Sequence, residues 1–105
     1  MAELACELEG RTALVTGGAK GIGAACCLLL AKAGARVAVN YRSSGVAAQQ
    51  LVTQIESDAG TAFACQADIT SVEAASRMVT SVEAELGPID LLGTNAGTLH
   101  FLSPP

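Results

Sequence analysis

Three glycines near the start of the chain stand at a spacing that suits phosphate chemistry. They lie in the segment TGGAKGIG, residues 16–23. Glycine adopts backbone conformations that strain other residues, and its missing side chain lets a bulky anion approach the backbone. A helix that begins at such a turn adds N–H donors and a partial positive charge. The candidate phosphate-binding residues are Thr16, Gly17, Lys20, Gly21, Ile22 and Gly23.

The sequence around these glycines predicts a strand before them and a helix after them. RTALVTGG begins with a β-favouring run, and apolar residues then recur in steps of three and four as far as Gly34. This context favours a phosphate loop over the alternative, an ordinary turn. The predicted buried face of the helix consists of Ile22, Ala25, Cys26, Leu29, Leu30 and Ala33.

The same alternation of strand and helix continues along the chain. Strands are predicted at residues 36–42, 61–69 and 89–97, with helices between them. The apolar residues of the second helix are Ala48, Leu51, Val52, Ile55 and Ala59, and those of the third are Val72, Ala75, Val79, Val82 and Leu86. Thr70 and Glu73 form a predicted capping box for the third helix, which Gly87 and Pro88 end.

The order β-α-β-α-β-α-β predicts an α/β fold with a parallel sheet of about four strands and flanking helices, a truncated Rossmann fold. Helices of this length return the chain to the same end of the sheet, and right-handed crossovers complete the arrangement. We expect residues 1–97 to form a half-domain that binds NAD(P), and residues 98–105 to be an irregular tail. The fourth strand would then be a bare edge that exposes Ile89, Leu91 and Leu92.

Composition limits the classes of partner and location. The chain has 105 residues, enough for one domain, and a formal charge of −4, which argues against nucleic-acid binding. The acidic N-terminus fits neither a signal peptide nor a transit peptide, and the longest apolar run is about half a membrane span. We expect a cytoplasmic protein with no membrane partner.

The cysteines and the single histidine indicate no further chemistry. Cys6, Cys26, Cys27 and Cys65 form no C-x-x-C motif and no cluster at metal-ligand spacing, so no metal site is predicted. They are interpreted as small hydrophobic residues in a reducing compartment. His100 has no partner nearby in the sequence and is interpreted as a loop residue.

Several motifs together resemble the short-chain dehydrogenase/reductase family. TGGAKGIG is similar to the family's cofactor loop, and Ala67-Asp68 and Asn95-Ala96-Gly97 follow in the family's order and spacing. The stretch VTGGAKGIG…VAVNYRSS is similar to 3-oxoacyl-acyl-carrier-protein reductases. The resemblance covers roughly residues 9–99, less than half of a usual member of about 250 residues. It implies that Asp68, with Ile69 beside it, contacts adenine, and that the loop of residues 95–97 passes close to the cofactor ribose.

The end of the second strand indicates which cofactor is preferred. Sites for NAD usually carry Asp or Glu there, which accepts from the ribose 2′-OH and repels a 2′-phosphate. This sequence has Asn40, Tyr41 and Arg42 instead, and Lys20 lies in the glycine loop. Arg42 can bond a phosphate in a bidentate manner, so the sequence favours NADP(H) over NAD(H). The alternative is that Lys20 and Arg42 are solvated surface charges.

Residues for proton transfer are missing from this sequence. The resemblance implies a catalytic Ser and a Tyr-x-x-x-Lys pair that protonates the forming alkoxide. Tyr41 is the only tyrosine, and Lys20 and Lys32 are the only lysines, so none of them fits this pair. We expect the cofactor-binding part of a short-chain oxidoreductase, inactive by itself. Two alternatives stay open. One is a longer or shared enzyme, and the other is a truncated isoform that pairs with an intact homologue, or with itself, through the open sheet edge.

Overall fold

The computed structural model describes residues 7–94 and the strand formed by residues 99–101. Five strands form one sheet with the order β3-β2-β1-β4-β5. Neighbours from β3 to β4 pair in parallel, whereas β5 pairs with β4 in antiparallel register. The strands are β1 (Thr12–Val15), β2 (Arg36–Tyr41), β3 (Thr61–Gln66), β4 (Leu91–Gly93) and β5 (Leu99–Phe101). The predicted four-stranded parallel sheet of a Rossmann-like fold is confirmed.

Three helices cover the two faces of the sheet. They are α1 (Gly21–Lys32), α2 (Gly45–Ser57) and α3 (Val72–Leu86). Val15 and Val37 pack with the buried sides of α1 and α2, whereas Leu14 and Ala38 pack with α3 on the opposite face. Successive residues of β1 and β2 therefore enter two separate cores. This explains why these strands are continuous apolar runs without alternation.

The described part of the C-terminal segment, Leu99–Phe101, differs from the prediction. Residues 98–105 were expected to be irregular, but Leu99–Phe101 forms β5, with Leu99 opposite Gly93 and Phe101 opposite Leu91. The β4 edge is therefore covered, contrary to the expectation of a bare edge. Leu91 is buried, and Leu92 and Ile89 are half-buried. A strand of three residues carries too little periodicity to be recognised, and it forms here because β4 offers a row of backbone partners.

The buried side of helix α1 matches the predicted one only in part, at Leu30 and Ala33. Gly23, Cys27 and Leu30 are buried, whereas Ile22 and Leu29 are 65% and 66% exposed. The helix is apolar around most of its circumference, so its pattern does not select one face. Helix α2 follows its predicted stripe at Ala48, Leu51, Val52 and Ile55, although Ala59 is exposed. In α3, Val82 and Leu86 are buried, but Val72 is exposed.

The predicted capping box of α3 is wrong by one residue. The N-cap is Ser71, whose Oγ accepts from the Ala74 N–H at 3.2 Å. Thr70 instead donates its hydroxyl to Asp68 Oδ1 at 2.6 Å. Both residues are good caps by type, and the nearby carboxylate decides which hydroxyl remains for the helix.

Three thiols lie among the described residues, and all are free. Burial raises the pKa of Cys27 to about 12, with the neighbouring Cys26 as a smaller cause, and raises that of Cys65 to about 11. Burial also raises the pKa of Cys26. These thiols are therefore protonated at neutral pH and are poor nucleophiles. Within residues 7–94 and 99–101, no helix is long and apolar enough to cross a membrane.

Candidate functional site

The predicted site residues that the structure describes gather at one edge of the sheet. Thr16–Gly23 follows β1, Tyr41 ends β2 and precedes Arg42, and Asp68 and Ile69 lie just beyond β3. All three segments leave the carboxyl ends of parallel strands, where open α/β sheets bind their ligands. The predicted residues Asn95, Ala96 and Gly97 lie outside the described residues.

The glycine loop packs closely against the first turn of α1, as its glycines allow. Gly17 and Gly21 have φ values of 62° and 57°, a region in which residues with side chains are strained. A Cβ atom at Gly23 would lie only 2.4 Å from the Gly17 carbonyl oxygen. The first turn of α1 is therefore pressed against the loop. In front of α1, the loop exposes backbone without a side chain at Gly17 and Gly21.

Backbone hydrogen bonds hold the loop to the neighbouring strands. Thr16 N–H donates to the Gly93 carbonyl at 2.9 Å, and the Thr16 hydroxyl donates to the same oxygen at 3.4 Å. Gly18 N–H donates to the Asn40 carbonyl at 2.9 Å, and Gly17 N–H donates to Asn40 Oδ1 at 3.2 Å. The ends of β4 and β2 thus fix the loop from both sides.

A cleft of about 220 Å³ opens between the glycine loop and the end of β2. It brings Lys20 and Arg42, both exposed, to one opening. Ser43 and Ser44 were missed as site residues, because the sequence assigns them only to a loop before a helix. The lining residues are Gly17, Ala19, Lys20, Tyr41, Arg42, Ser43 and Ser44.

Two helices begin at this cleft without a side-chain cap. Lys20 is the N-cap of α1 and Ser44 is the N-cap of α2, and neither side chain bonds the helix that it precedes. Neither helix has an acidic residue in its first turn. Each therefore presents backbone donors and the positive end of its dipole to the cleft. With Lys20 and Arg42, this arrangement suits a ligand that carries two separate phosphate groups.

Asp68 lies beside Arg42, outside the lining of the cleft, and is held in place by its own neighbours. Its Oδ1 accepts from the Thr70 hydroxyl at 2.6 Å and from the Thr70 N–H at 3.0 Å. Its Oδ2 lies 3.7 Å from Arg42 Nη2, and both side chains are well exposed. The two Thr70 hydrogen bonds are the main reason that the pKa of Asp68 is below its ordinary value, and the Arg42 charge adds to the effect. Ile69 beside it is about half exposed.

The match to a family model extends over most of the chain. Residues 11–103 match the model described as short chain dehydrogenase. The chain belongs to the short-chain dehydrogenase family. Its glycine loop, α1 and the strand ends around the cleft all lie within the matched residues.

Individual relatives agree with this membership in the short-chain dehydrogenase family. The chain is 40% identical over 94 residues to versicolorin reductase 1 of Aspergillus parasiticus, covering 90% of this chain and 36% of that protein. A dehydrogenase/reductase structure from Sinorhizobium meliloti superposes with a TM-score of 0.83 and 39% identity, covering 88% of this chain and 36% of that one. The chain thus spans about a third of the length of these relatives.

One similar structure contains a dinucleotide. A short chain dehydrogenase from Burkholderia cenocepacia in complex with NADP superposes with a TM-score of 0.77 and 44% identity, covering 81% of this chain and 35% of that one. Short-chain dehydrogenases bind a nicotinamide dinucleotide. The more specific resemblance to 3-oxoacyl-acyl-carrier-protein reductases stays a prediction.

Proposed function

We propose that this chain binds NADP(H) as the N-terminal, cofactor-binding portion of a short-chain oxidoreductase. The observation that carries the proposal is the pair of uncapped helix N-termini that open on one cleft beside Lys20 and Arg42. NADP differs from NAD by one 2′-phosphate, and the second N-terminus with Arg42 offers a place for that group.

Each part of the cleft has a distinct role in this proposal. The glycine loop and the start of α1 hold the pyrophosphate, because Gly17 lines the cleft without a side chain and a Cβ at Gly21 would have nothing within 4 Å. Arg42 and the start of α2, beyond Ser44, hold the 2′-phosphate. Asp68, with Ile69 beside it, receives the adenine amino group, and residues 95–97 approach the ribose.

We also propose the reaction that this binding serves in the whole protein. The bound nucleotide supplies or accepts a hydride, and a carbonyl or alcohol, such as a 3-oxoacyl thioester, is the other reactant. The printed name of the similar versicolorin reductase supports a reductase. The residue that protonates the forming alkoxide is not among those of this sequence, because Tyr41, the only tyrosine, ends β2 beside the cleft and no lysine follows it. The 105-residue chain therefore binds cofactor but transfers no hydride by itself.

Calorimetric titration with NADP⁺ and NAD⁺ tests the cofactor proposal. The unsubstituted chain should bind NADP⁺ more tightly than NAD⁺, and Arg42→Asp should reverse or abolish that preference. Arg77→Asp is the matched control, because Arg77 is an exposed arginine on α3, away from the cleft. An unchanged preference in Arg42→Asp would reject the role of Arg42.

Single-turnover assays test the proposal that the chain does not catalyse. The chain is mixed with NADPH and a panel of ketones, and alcohol product is measured. We expect none above the protein-free control. Alcohol formed by this chain alone would show that it contains a complete active site.

A second candidate function is pairing with a longer homologue. The exposed Ile22 and Leu29 on one side of α1 favour it, since a helix that is apolar all round is usually buried. The β4 edge is not the surface for this pairing, because β5 covers it. Co-elution with a full-length family member on size exclusion, lost in the double variant Ile22→Ser and Leu29→Ser, would support it. Separate elution of the unsubstituted chain would reject it.

A cytoplasmic location is part of the same proposal. The free thiols of Cys26, Cys27 and Cys65 fit a reducing compartment. Fractionation of cells that express a tagged chain would test the location.

A further inference from the structure

Asn40 is a buried polar residue at the end of β2, between the glycine loop and the end of β3. It is only 2% exposed. Its Oδ1 accepts from the Gly17 N–H at 3.2 Å, and its Nδ2 donates to the carbonyls of Cys65 and Ala67 at 3.4 and 3.3 Å. One side chain thus joins the segments that follow β1 and β3.

The chemistry of the partners determines the orientation of the Asn40 amide. A backbone N–H can only donate and a backbone carbonyl can only accept. Oδ1 must therefore face Gly17, and Nδ2 must face Cys65 and Ala67. An aspartate at this position could still accept from Gly17, but it would lack both donors and would place a charge in the core.

Gly17 is held on two sides by this arrangement. The first turn of α1 presses against its carbonyl, where a Cβ on Gly23 would lie at 2.4 Å. Asn40 holds its N–H from the other side. The two contacts together fix the two peptide units that flank the Gly17 Cα, and with them the direction in which α1 begins.

We propose that Asn40 is a positioning residue of the phosphate loop. Its amide fixes Gly17 and ties the loop to the end of β3, two residues before Asp68. The inference rests on the proposed function, since it concerns the same cleft. Asn40 also differs in role from the acid that binds the ribose at the end of the second strand in NAD sites. The Asn40 side chain points into the protein, so Arg42 is the polar residue after β2 that faces the ligand.

The binding of two different ligands distinguishes a positioning role of Asn40 from a general contribution to stability. NADP⁺ uses the glycine loop, whereas 2′-AMP lacks the pyrophosphate and uses only the adenosine and 2′-phosphate contacts. Asn40→Ala should weaken NADP⁺ binding by about tenfold, the usual effect of losing a buried hydrogen-bond partner. Its binding of 2′-AMP should stay within about twofold of the unsubstituted chain, because the Ala67 N–H still donates to the Tyr41 carbonyl at 3.0 Å and holds the segment before Asp68. Equal weakening of both ligands, or of neither, would overturn the proposal.

Thr12→Val is the matched control variant. Thr12 is also fully buried and donates its hydroxyl to the Leu86 carbonyl at 2.7 Å, at the opposite edge of the sheet. This variant should lose stability but change the affinity for NADP⁺ by less than about twofold. A loss of NADP⁺ affinity equal to that of Asn40→Ala would mean that general destabilisation explains both variants, and would overturn the proposal.

Amide hydrogen exchange tests the positioning directly and needs no ligand. In the unsubstituted chain the Gly17 amide should exchange more slowly than the amide of Ile22 in the uncapped first turn of α1. Asn40→Ala should remove that protection, and Asn40→Ser provides a second, smaller polar side chain if the alanine variant does not fold. Rapid Gly17 exchange in the unsubstituted chain would reject the positioning role. If the chain binds neither nucleotide, the proposed function fails, and the exchange result still decides whether Asn40 fixes the loop.

Discussion

The N-termini of α1 and α2 differ from that of α3 in whether a side chain of the protein accepts hydrogen bonds from their backbone N–H groups. Ser71 caps α3 through the Ala74 N–H, and Glu73 adds an acid in its first turn. Helices α1 and α2 have neither device, although Ser44 is a residue type that commonly caps helices. All three helices begin at the carboxyl edge of the parallel strands. In the proposed function, two of the three N-termini bind an external anion, whereas the third is satisfied within the chain.

The largest expected effect comes from forcing α1 and the glycine loop apart. Gly23→Ala places a Cβ within 2.4 Å of the Gly17 carbonyl oxygen, so loop and helix must move apart. We expect the unfolding free energy to fall by about 3 kcal/mol, as for severe overpacking, and NADP⁺ binding to be lost. Denaturant melts and titration measure the two effects.

Gly45→Ala is the control for this substitution at the start of α2. Its Cβ would meet only the Tyr41 ring at 3.5 Å, an ordinary contact. Alanine also favours helix more than glycine does, so stability should be unchanged or slightly higher. Equal stability of the Gly23 and Gly45 variants would contradict the close-packing account of the loop.

A side-chain cap on α2, like the one on α3, should raise the stability of the chain and weaken its binding of NADP⁺. Ser44→Asp supplies a carboxylate that caps the helix, and we expect stability to rise by about 0.5 kcal/mol. The same charge repels a 2′-phosphate, so NADP⁺ affinity should fall by about tenfold while NAD⁺ affinity changes little. Ser44→Asn caps without charge and serves as the control. Unchanged NADP⁺ affinity in Ser44→Asp would show that the 2′-phosphate does not lie there.

Removing the cap of α3 should lower stability without changing nucleotide affinity. Ser71→Ala leaves the Ala74 N–H without its side-chain partner, and we expect a loss of about 1 kcal/mol in the unfolding free energy. Affinity for NADP⁺ should not change, because this N-terminus is satisfied within the chain. A matching loss of nucleotide affinity would remove the distinction between the three helices.

The smallest expected effect concerns the pKa of the Asp68 carboxyl group. The pKa of Asp68 is lowered first by its hydrogen bonds from Thr70 and then by Arg42. Its contribution to stability is therefore present above the ordinary pKa of an aspartate and is lost as the pH falls through the lowered value. NMR titration should show a larger return towards the ordinary pKa in Thr70→Val than in Arg42→Ala. The reverse order would mean that the ion pair dominates.

The sequence predicts the fold well where the signals are local. Strand runs, glycine punctuation and the stripe of α2 at Leu51 and Ile55 were enough for element order and sheet type. The positions of the glycine loop, Arg42 and Asp68 at one edge follow from that topology, because parallel strands end on the same side.

The predictions that were incorrect concern features that depend on competing hydrogen bonds, on packing or on pairing between distant segments. The predicted buried face of α1 was only partly right: Leu30 is buried but Leu29 is exposed, because apolar residues lie on both sides of the helix. Thr70 was assigned as the cap of α3, but Asp68 takes its hydroxyl and leaves Ser71 for the helix. The strand at Leu99–Phe101 exists through its pairing with β4, which no local pattern reveals.

A crystal structure of the chain with NADP⁺ tests the central claim most directly. We expect the pyrophosphate at the start of α1 against Gly17 and Gly21, and the 2′-phosphate within hydrogen-bond distance of Arg42 at the start of α2. A 2′-phosphate bound at the start of α3, or a dinucleotide that leaves the N-termini of α1 and α2 without a phosphate, would contradict it.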